Sequence, residues 1–208
     1  MAVPQQRVFS TTRVEAYADG VFAIAATLLV LDLTTTAFGR IDSDAEMWSA
    51  LADMSESFLA FVISFGLLSL LWMIHLQQFR DIARVDGGLM WLNSIRLLFI
   101  VLIPFTTTLV AEFSEFYAGR MLLPINFFFA TLFGFLAYRW AMARGGHLLS
   151  DEARPDAATQ SIAGAVAVGC AAGAVVLAPF VGSWGFLVFV INQPLAAALQ
   201  KRAARSGD

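Results

Sequence analysis

Cysteine and histidine are almost missing from this chain. Cys170 is the only cysteine, and His75 and His147 are the only histidines. A single cysteine excludes a disulfide framework and a thiol cluster, and the two histidines do not have metal-ligand spacing. The sequence also lacks a Walker-type phosphate loop, a glycine-rich dinucleotide fingerprint and a nucleophile elbow. We therefore expect neither an enzyme nor a cofactor.

Charge is scarce as well. Only 14% of the 208 residues are charged, whereas 59% are hydrophobic and 19 are phenylalanine, a balance that excludes an ordinary soluble domain. Six apolar runs approach the ~20 residues that cross a bilayer as a helix. They are continuously apolar, unlike the alternating strands of a barrel. We predict one all-α integral membrane domain over residues 1–208 with six transmembrane helices. Their bounds are about 14–35, 57–78, 89–111, 121–140, 160–180 and 183–200.

The basic residues predict the orientation, because Lys and Arg collect on the cytoplasmic side of short loops. With both termini in the cytoplasm, only Arg40 and Arg120 fall outside. The cytoplasmic set is Arg7, Arg13, Arg80, Arg84, Arg139, Arg144, Arg154, Lys201, Arg202 and Arg205. The first outer loop is acidic, which either raises the local cation concentration or simply keeps the loop solvated. Alanine-rich helices without a targeting signal favour a prokaryotic inner membrane.

Four polar residues are predicted to share one depth in the membrane. At ~1.5 Å per residue, Asp19 lies roughly 9 Å inside the cytoplasmic boundary, and His75, Asn93 and Arg96 lie at similar depth on the second and third helices. Ionisable groups at such depth mark a pairing network or a conduction pathway. We predict a buried polar cluster around an Asp19–Arg96 ion pair, with Arg13 and His75 as the other possible partners of Asp19. The alternative is that Arg96 snorkels to the headgroups and His75 is interfacial.

An apolar stripe runs along another face of the first helix. Ile24, Thr27, Leu28 and Leu31 recur at i, i+3, i+4 and i+7, and Ile24 lies about 140° around the helix from Asp19 at ~100° per residue. Spacing alone favours a stripe in the protein core. A stripe facing a symmetry axis or a pore is the alternative.

The first helix also carries a resemblance to a known family. The segment Arg13-x-x-x-Tyr17-Ala18-Asp19, followed by the apolar run Gly20 to Asp32, resembles the RxxxFSD signature and first helix of the transmembrane protein 175 family, which comprises organellar and prokaryotic potassium channels. About twenty residues carry the specific part of the likeness. The six-helix layout extends it in architecture to the whole chain.

A weaker likeness and two departures accompany the signature. The third-helix patterns Trp91 to Asn93 and Ile103 to Thr106 also match the family. Tyr17 replaces a phenylalanine and adds a hydroxyl, whereas Ala18 replaces a serine and removes one. If that serine ties the motif to helices two and three, this chain holds Asp19 with fewer hydrogen bonds.

The resemblance implies a potassium-permeable channel whose pore is lined by helix one rather than by a carbonyl filter. One signature supplies one pore helix, so it implies a homotetramer. By position after the motif, Ile24 matches a narrow hydrophobic constriction and Thr27 a hydroxyl layer, while Leu28 and Leu31 extend the lining. The implied partners are other copies of the chain, the lipid bilayer and monovalent cations, with K⁺ permeating, no other metal and no nucleic acid.

Two other classes of function remain as alternatives. In a proton-coupled secondary transporter, Asp19, His75 and Arg96 would form a titrating relay. Transporter folds often show paired repeats and broken helices at the midplane. In this sequence no second copy of the signature is visible, which disfavours a transporter. A membrane scaffold would use the GxxxG spacing of Gly169 and Gly173 for helix packing. The scaffold explains the small residues of the fifth run but not the charged layer.

Overall fold

Helices make up the regular structure of the described chain. The computed structural model describes residues 9–33, 38, 40–192 and 195–200. The α-helices are α1 (Thr11–Leu29), α2 (Asp44–Asp53), α3 (Ser55–Asp81), α4 (Gly87–Val101), α5 (Ile103–Phe113), α6 (Tyr117–Gly146) and α7 (Ala157–Val181). Two 3₁₀ segments cover Val30–Asp32 and Gly182–Ile191, and residues 195–200 are again helical. The all-α class predicted from the sequence is confirmed.

Four segments are long and apolar enough to cross a membrane. They are Ser55–Asp81, Gly87–Phe113, Tyr117–Ala143 and Ala157–Val181, and an 18-residue stretch within each has a mean hydropathy between 1.8 and 2.3. They contain the second to fifth predicted runs, so an integral membrane protein is confirmed. α1 and the last apolar run are not among these four. Their crossing of the bilayer, and with it the count of six, stays a prediction.

The third predicted helix is divided at Leu102, between α4 and α5. Pro104 begins the second part, and its missing N–H interrupts the ladder of hydrogen bonds and bends a helix. Threonine hydroxyls of α5 bond to backbone carbonyls at and directly after this break: Thr106 Oγ1 donates to Leu102 O at 3.0 Å, and Thr107 Oγ1 donates to Ile103 O at 2.8 Å. Such bonds let a broken helix persist in lipid.

The last predicted helix, 183–200, differs from the structure. α7 ends at Gly182, whose φ of 57° favours glycine, and the chain continues as a 3₁₀ segment to Ile191. A Cβ at Gly185 would lie 3.3 Å from Ala174 O, so glycine lets this segment approach the backbone of α7 closely. Residues 193 and 194 lie outside the described residues, and helical structure is described again from 195.

The acidic outer loop contains a helix that we did not predict. Ser43 caps α2 by accepting a hydrogen bond from Glu46 N at 3.2 Å, and Glu46 reaches back to accept one from Asp42 N at 2.8 Å. The Ser-x-x-Glu sequence is typical of a capping box, and here Glu46 accepts from the residue before the cap, Asp42, rather than from Ser43 itself. No residue of α2 is buried, so the helix lies on the surface of the subunit.

The core is built around α1 and α6. α1 packs against α3, α4 and α5, while α6 packs against α4, α5 and α7. One face of α1 is buried, and it consists of Val14, Ala18, Phe22, Ala25 and Leu29. The close helix contacts are not made by the predicted glycines: a Cβ at Gly169 would meet nothing within 4 Å, whereas one at Gly164 would lie 2.9 Å from the Phe135 ring.

Three loops meet at the end of the bundle that carries Arg80, Arg84 and Arg139. Phe9 pairs with Val85, and Ile82 pairs with Leu149, as isolated antiparallel bridges. Thr11 Oγ1 donates to Ala83 O at 3.2 Å. These bonds tie the start of α1 to the α3–α4 loop and that loop to the α6–α7 loop. We refer to this end as the basic end of the bundle.

Candidate functional site

Arg96 lies at the centre of the polar cluster. Its side chain is only 1% exposed, and its guanidinium bonds to one helix, α3. Nη1 lies 3.3 Å from His75 Nδ1 and donates to Gln78 Oε1 at 3.0 Å, and Nη2 donates to Leu71 O at 2.9 Å. Because arginine has donors only, His75 accepts through Nδ1. Arg96 therefore does not snorkel, and the alternative in which it reaches the headgroups is wrong.

The predicted Asp19–Arg96 ion pair is wrong. Asp19 is half-buried, and its Oδ1 accepts a hydrogen bond from Trp72 Nε1 at 3.0 Å. Within the described part of the chain, no carboxylate oxygen lies within 4.0 Å of Arg96. The Phe22 ring packs on His75, with 5.6 Å between ring centroids. The depth argument contained no information on the direction of these groups around each helix.

The remaining signature residues divide between the buried core and the exposed face of α1. Ala18 is fully buried in the main apolar core, so the methyl group that replaces the motif serine packs against apolar neighbours. Tyr17 is 65% exposed, and Arg13 is exposed as well. At ~100° per residue, both lie on the same face of α1 as Ile24. Neither side chain has a described contact with Asp19.

Asn93 lies in the cluster without being part of its hydrogen bonds. It is 2% exposed, and its Oδ1 is buried with no hydrogen-bond partner among the described residues. Trp72 and Gln78 are the cluster members that we did not predict. They lie three residues before and three residues after His75, at neighbouring positions on the surface of α3. Their spacing from His75 could therefore have identified them from the sequence as members of the cluster.

The stripe on α1 is not part of the subunit core. Ile24 and Leu31 are each 62% exposed, Leu28 is 39% exposed, and Thr27 is exposed. Thr27 Oγ1 donates to Ile24 O at 2.8 Å. The core position favoured by spacing alone is therefore wrong for a single chain. An apolar stripe with one hydroxyl therefore lies on the surface of the single chain, on a helix whose opposite face is buried.

The fold and the polar cluster define a class: an all-helical integral membrane protein whose first helix is held by a core face and presents a second, uncovered face. A sequence model of the family described as "Endosomal/lysosomal potassium channel TMEM175" matches residues 13–104. The region includes the signature, the cluster and the stripe. The chain belongs to the TMEM175 family.

Similar proteins occur in bacteria and vertebrates. A potassium channel of Streptomyces collinus is 37% identical over 139 residues, which cover 65% of this chain and 66% of that protein. A potassium channel of Chamaesiphon minutus is 38% identical over 103 residues, half of each protein. An endosomal/lysosomal proton channel TMEM175 of Bos taurus is 32% identical over 155 residues, 70% of this chain and 32% of that protein. The alignments thus span between a third and two thirds of these relatives.

A solved structure extends the likeness along the chain. The crystal structure of a lysosomal potassium-selective channel TMEM175 homolog from Chamaesiphon minutus superposes with a TM-score of 0.69 at 25% identity and covers 92% of this chain and 97% of that chain. The crystal structure of a variant of the potassium channel MtTMEM175 shares the fold, with a TM-score of 0.63 at 18% identity. These relatives are channels rather than enzymes, in agreement with the prediction that the chain is not an enzyme.

Proposed function

We propose that the protein forms a potassium-permeable channel in a prokaryotic inner membrane, with both termini in the cytoplasm. The names of its bacterial relatives support the ion. Six membrane crossings follow if α1 and the last apolar run both traverse the bilayer. Permeating K⁺ is then the only metal ion involved, and monovalent cations and lipid are the other partners.

The observation that carries the proposal is the exposed stripe on α1. Four copies of Ile24, Thr27, Leu28 and Leu31, arranged around an axis in a homotetramer, would line a pore. A ring of branched aliphatic side chains at Ile24 would gate by dewetting. Thr27 donates its hydroxyl hydrogen to its own helix, so its oxygen presents lone pairs outward, which suits a cation and not an anion.

The polar cluster supports a structural task rather than proton transfer. In a proton-coupled carrier, Asp19, His75 and Arg96 would exchange protons along a chain of hydrogen bonds. Asp19 bonds instead to the Trp72 indole N–H, which is a donor only and does not relay a proton. Arg96 and His75 lie behind Phe22. The arrangement favours a structural role, in which the cluster holds α1 in place with its stripe facing outward.

The test is a bilayer recording of the purified, reconstituted protein with K⁺ on one side and Na⁺ on the other. We expect currents that reverse towards the potassium potential. Ile24→Asn replaces an aliphatic ring by amides and should enlarge the conductance several-fold, because it wets the constriction. Leu98→Asn is the matched control, because Leu98 is also an exposed aliphatic residue, 56% exposed, but belongs to α4 and not to the stripe. The conductance of this variant should equal that of the wild type.

Three results would contradict parts of this proposal. Equal conductance of Ile24→Asn and wild type would remove Ile24 from the pore. Saturable K⁺ uptake that requires a proton gradient would favour the carrier. A reversal potential that follows a pH gradient at constant K⁺ would assign protons as the permeating ion, in line with the name of the Bos taurus relative.

A further inference from the structure

A polar cavity of about 270 Å³ lies on the side of the bundle away from the α1 stripe. Its walls come from α3, α6, α7, Arg96 of α4 and the last described residues, and α1 does not contribute. The lining is mixed, and six of its residues carry an amide or a guanidinium group: Gln77, Gln78, Arg96, Gln160, Asn192 and Gln200. The proposed pore does not use this cavity.

The cavity connects the surface to Arg96. Gln77 is exposed, Gln160 and Gln200 are half-buried, and Gln78 and Arg96 are buried. Gln160 and Gln77 lie within about one turn of the basic end of the bundle, four residues or fewer from Ala157 and Asp81. A polar molecule would enter between the amides and meet the arginine at the inner wall.

Arg96 has a charge that its neighbours do not balance. Its hydrogen bonds go to an imidazole, an amide oxygen and a carbonyl, all of them neutral acceptors. Its Nε is buried without a partner among the described residues, and no described carboxylate lies within ion-pair distance. A buried arginine keeps its charge, and such a charge is costly unless it is paired.

The backbone makes room for the guanidinium. A Cβ at Gly134 would lie 3.0 Å from Arg96 Cζ and 3.1 Å from Nε, so only glycine fits there without displacing the arginine. Gln78 Nε2 donates to Gly134 O at 3.2 Å and completes the inner wall. Asn192, 7% exposed, adds a buried amide whose Oδ1 has no described partner.

We propose that this cavity binds a phosphate-type oxyanion that pairs with Arg96. Guanidinium groups bind phosphate oxygens through charge-assisted hydrogen bonds, and the amides of Gln77 and Gln160 and the Ser161 hydroxyl, which also line the cavity, supply further donors. Gln78 is not counted among them, because its amide is already bonded to Arg96 and to Gly134 O. The same chemistry would recognise a free phosphate ion from the aqueous phase or the headgroup of an anionic lipid, since basic pockets between helices hold such headgroups. The anion stabilises the subunit and is separate from the permeation path.

The test compares two substitutions at Gln78, where Gln78 Oε1 already accepts from Arg96. Gln78→Glu places a carboxylate beside the guanidinium and supplies the counter-charge from within the chain. Gln78→Met places a side chain of similar size there but supplies no counter-charge. Size-exclusion chromatography of the full-length, detergent-solubilised proteins establishes that both variants are assembled before they are compared.

The readout is the melting temperature of the detergent-solubilised protein at constant ionic strength. It is titrated with inorganic phosphate in one arm and with phosphatidylglycerol added to the detergent micelles in the other. A ligand that binds only the folded protein raises stability in a saturable way. We expect wild type and Gln78→Met to gain a few degrees and Gln78→Glu to gain none. Native mass spectrometry should then show one phosphate or one phosphatidylglycerol per subunit.

The two arms identify the source of the oxyanion. A response to phosphate alone assigns a free anion, and a response to phosphatidylglycerol alone assigns a lipid headgroup. Wild-type protein that responds to neither probe would overturn the proposal. It would also be overturned if Gln78→Glu responded as strongly as wild type, because stabilisation would then be independent of the charge on Arg96. Potassium currents do not enter this test, so it stands apart from the proposed channel function.

Discussion

At Asp19, a half-buried carboxylate is held by a single described hydrogen bond from the Trp72 indole. The bond joins α1 to α3 at the height where the signature lies. With Ala18 in place of the motif serine, no hydroxyl is available beside it. Trp72 is therefore the residue on which the position of Asp19 depends.

Removing that donor should destabilise the subunit. Trp72→Phe keeps an aromatic ring but deletes the N–H, and hydrogen bonds to charged groups contribute roughly 1.5–3 kcal/mol; the lower part of that range applies because both side chains reach the surface. We expect a lower melting temperature in detergent. Trp91→Phe is the control, since Trp91 is 73% exposed and should melt like wild type. Equal melting temperatures for the two variants would show that the Asp19–Trp72 bond contributes nothing.

Thr27 permits a second prediction at this scale. Thr27→Val keeps the β-branched shape and removes the oxygen that the stripe presents. We expect assembly to be unchanged and the K⁺/Na⁺ permeability ratio to fall, because only an oxygen can replace water around the ion. Reversal potentials under bi-ionic conditions measure the ratio. A ratio equal to that of wild type would take Thr27 out of the selectivity layer.

How far the sequence predicted the site depends on the residue. Its composition and runs located Asp19, His75, Asn93 and Arg96 at one depth, and the structure buries the last three. The partner of Asp19 was missed because an ion pair was assumed between the two charged residues. Whether a side chain faces α3 or α1 depends on helix rotation, and rotation is set by packing that periodicity alone does not determine.

At the scale of the elements, the contact between α4 and α6 depends on a glycine, Gly88. Asp86 caps α4 by accepting from Leu89 N at 2.8 Å and also accepts from Trp140 Nε1 at 3.1 Å. The indole lies so close to Gly88 that any Cβ there would overlap its ring. Gly88 thus permits one carboxylate to bind both helices.

Gly88→Ala should move Trp140 off Asp86. Overpacking of this kind costs about 1–3 kcal/mol, and the buried carboxylate loses a donor as well. Its neighbour offers a matched control, because a Cβ at Gly87 meets nothing within 4 Å and Gly87→Ala should be neutral or slightly stabilising. Thermal melting of both variants checks this. A melting temperature for Gly88→Ala no lower than that for Gly87→Ala would contradict it.

Element boundaries followed the sequence where the apolar runs were long. The second, fourth and fifth predicted runs lie within α3, α6 and α7. The break at Leu102 and the 3₁₀ segment after Gly182 were not predicted. In both cases a proline or glycine that was visible in the sequence redirects the backbone, but its effect depends on which neighbouring helix satisfies the freed groups.

For the whole molecule, the uncovered stripe on α1 is a surface that further copies of the chain could cover. A single chain exposes it, whereas four chains around an axis would enclose it. We expect the purified complex to have four times the 22.6 kDa mass of the subunit, as measured by native mass spectrometry after detergent removal. Ile24→Asn should keep that mass if the stripe faces a wet pore. A monomer or dimer that conducts would contradict the tetrameric arrangement.

The anchoring of α1 has a mechanical consequence. Its start is hydrogen-bonded to the loops of the basic end through Phe9 and Thr11, whereas at its far end Leu29 makes only non-directional apolar contacts among the described residues. If α1 tilts as a rigid helix, it therefore tilts about its hydrogen-bonded end at Thr11. At ~1.5 Å per residue, Ile24 lies about 20 Å and Leu31 about 30 Å from that end, so a given tilt displaces Leu31 half as far again as Ile24.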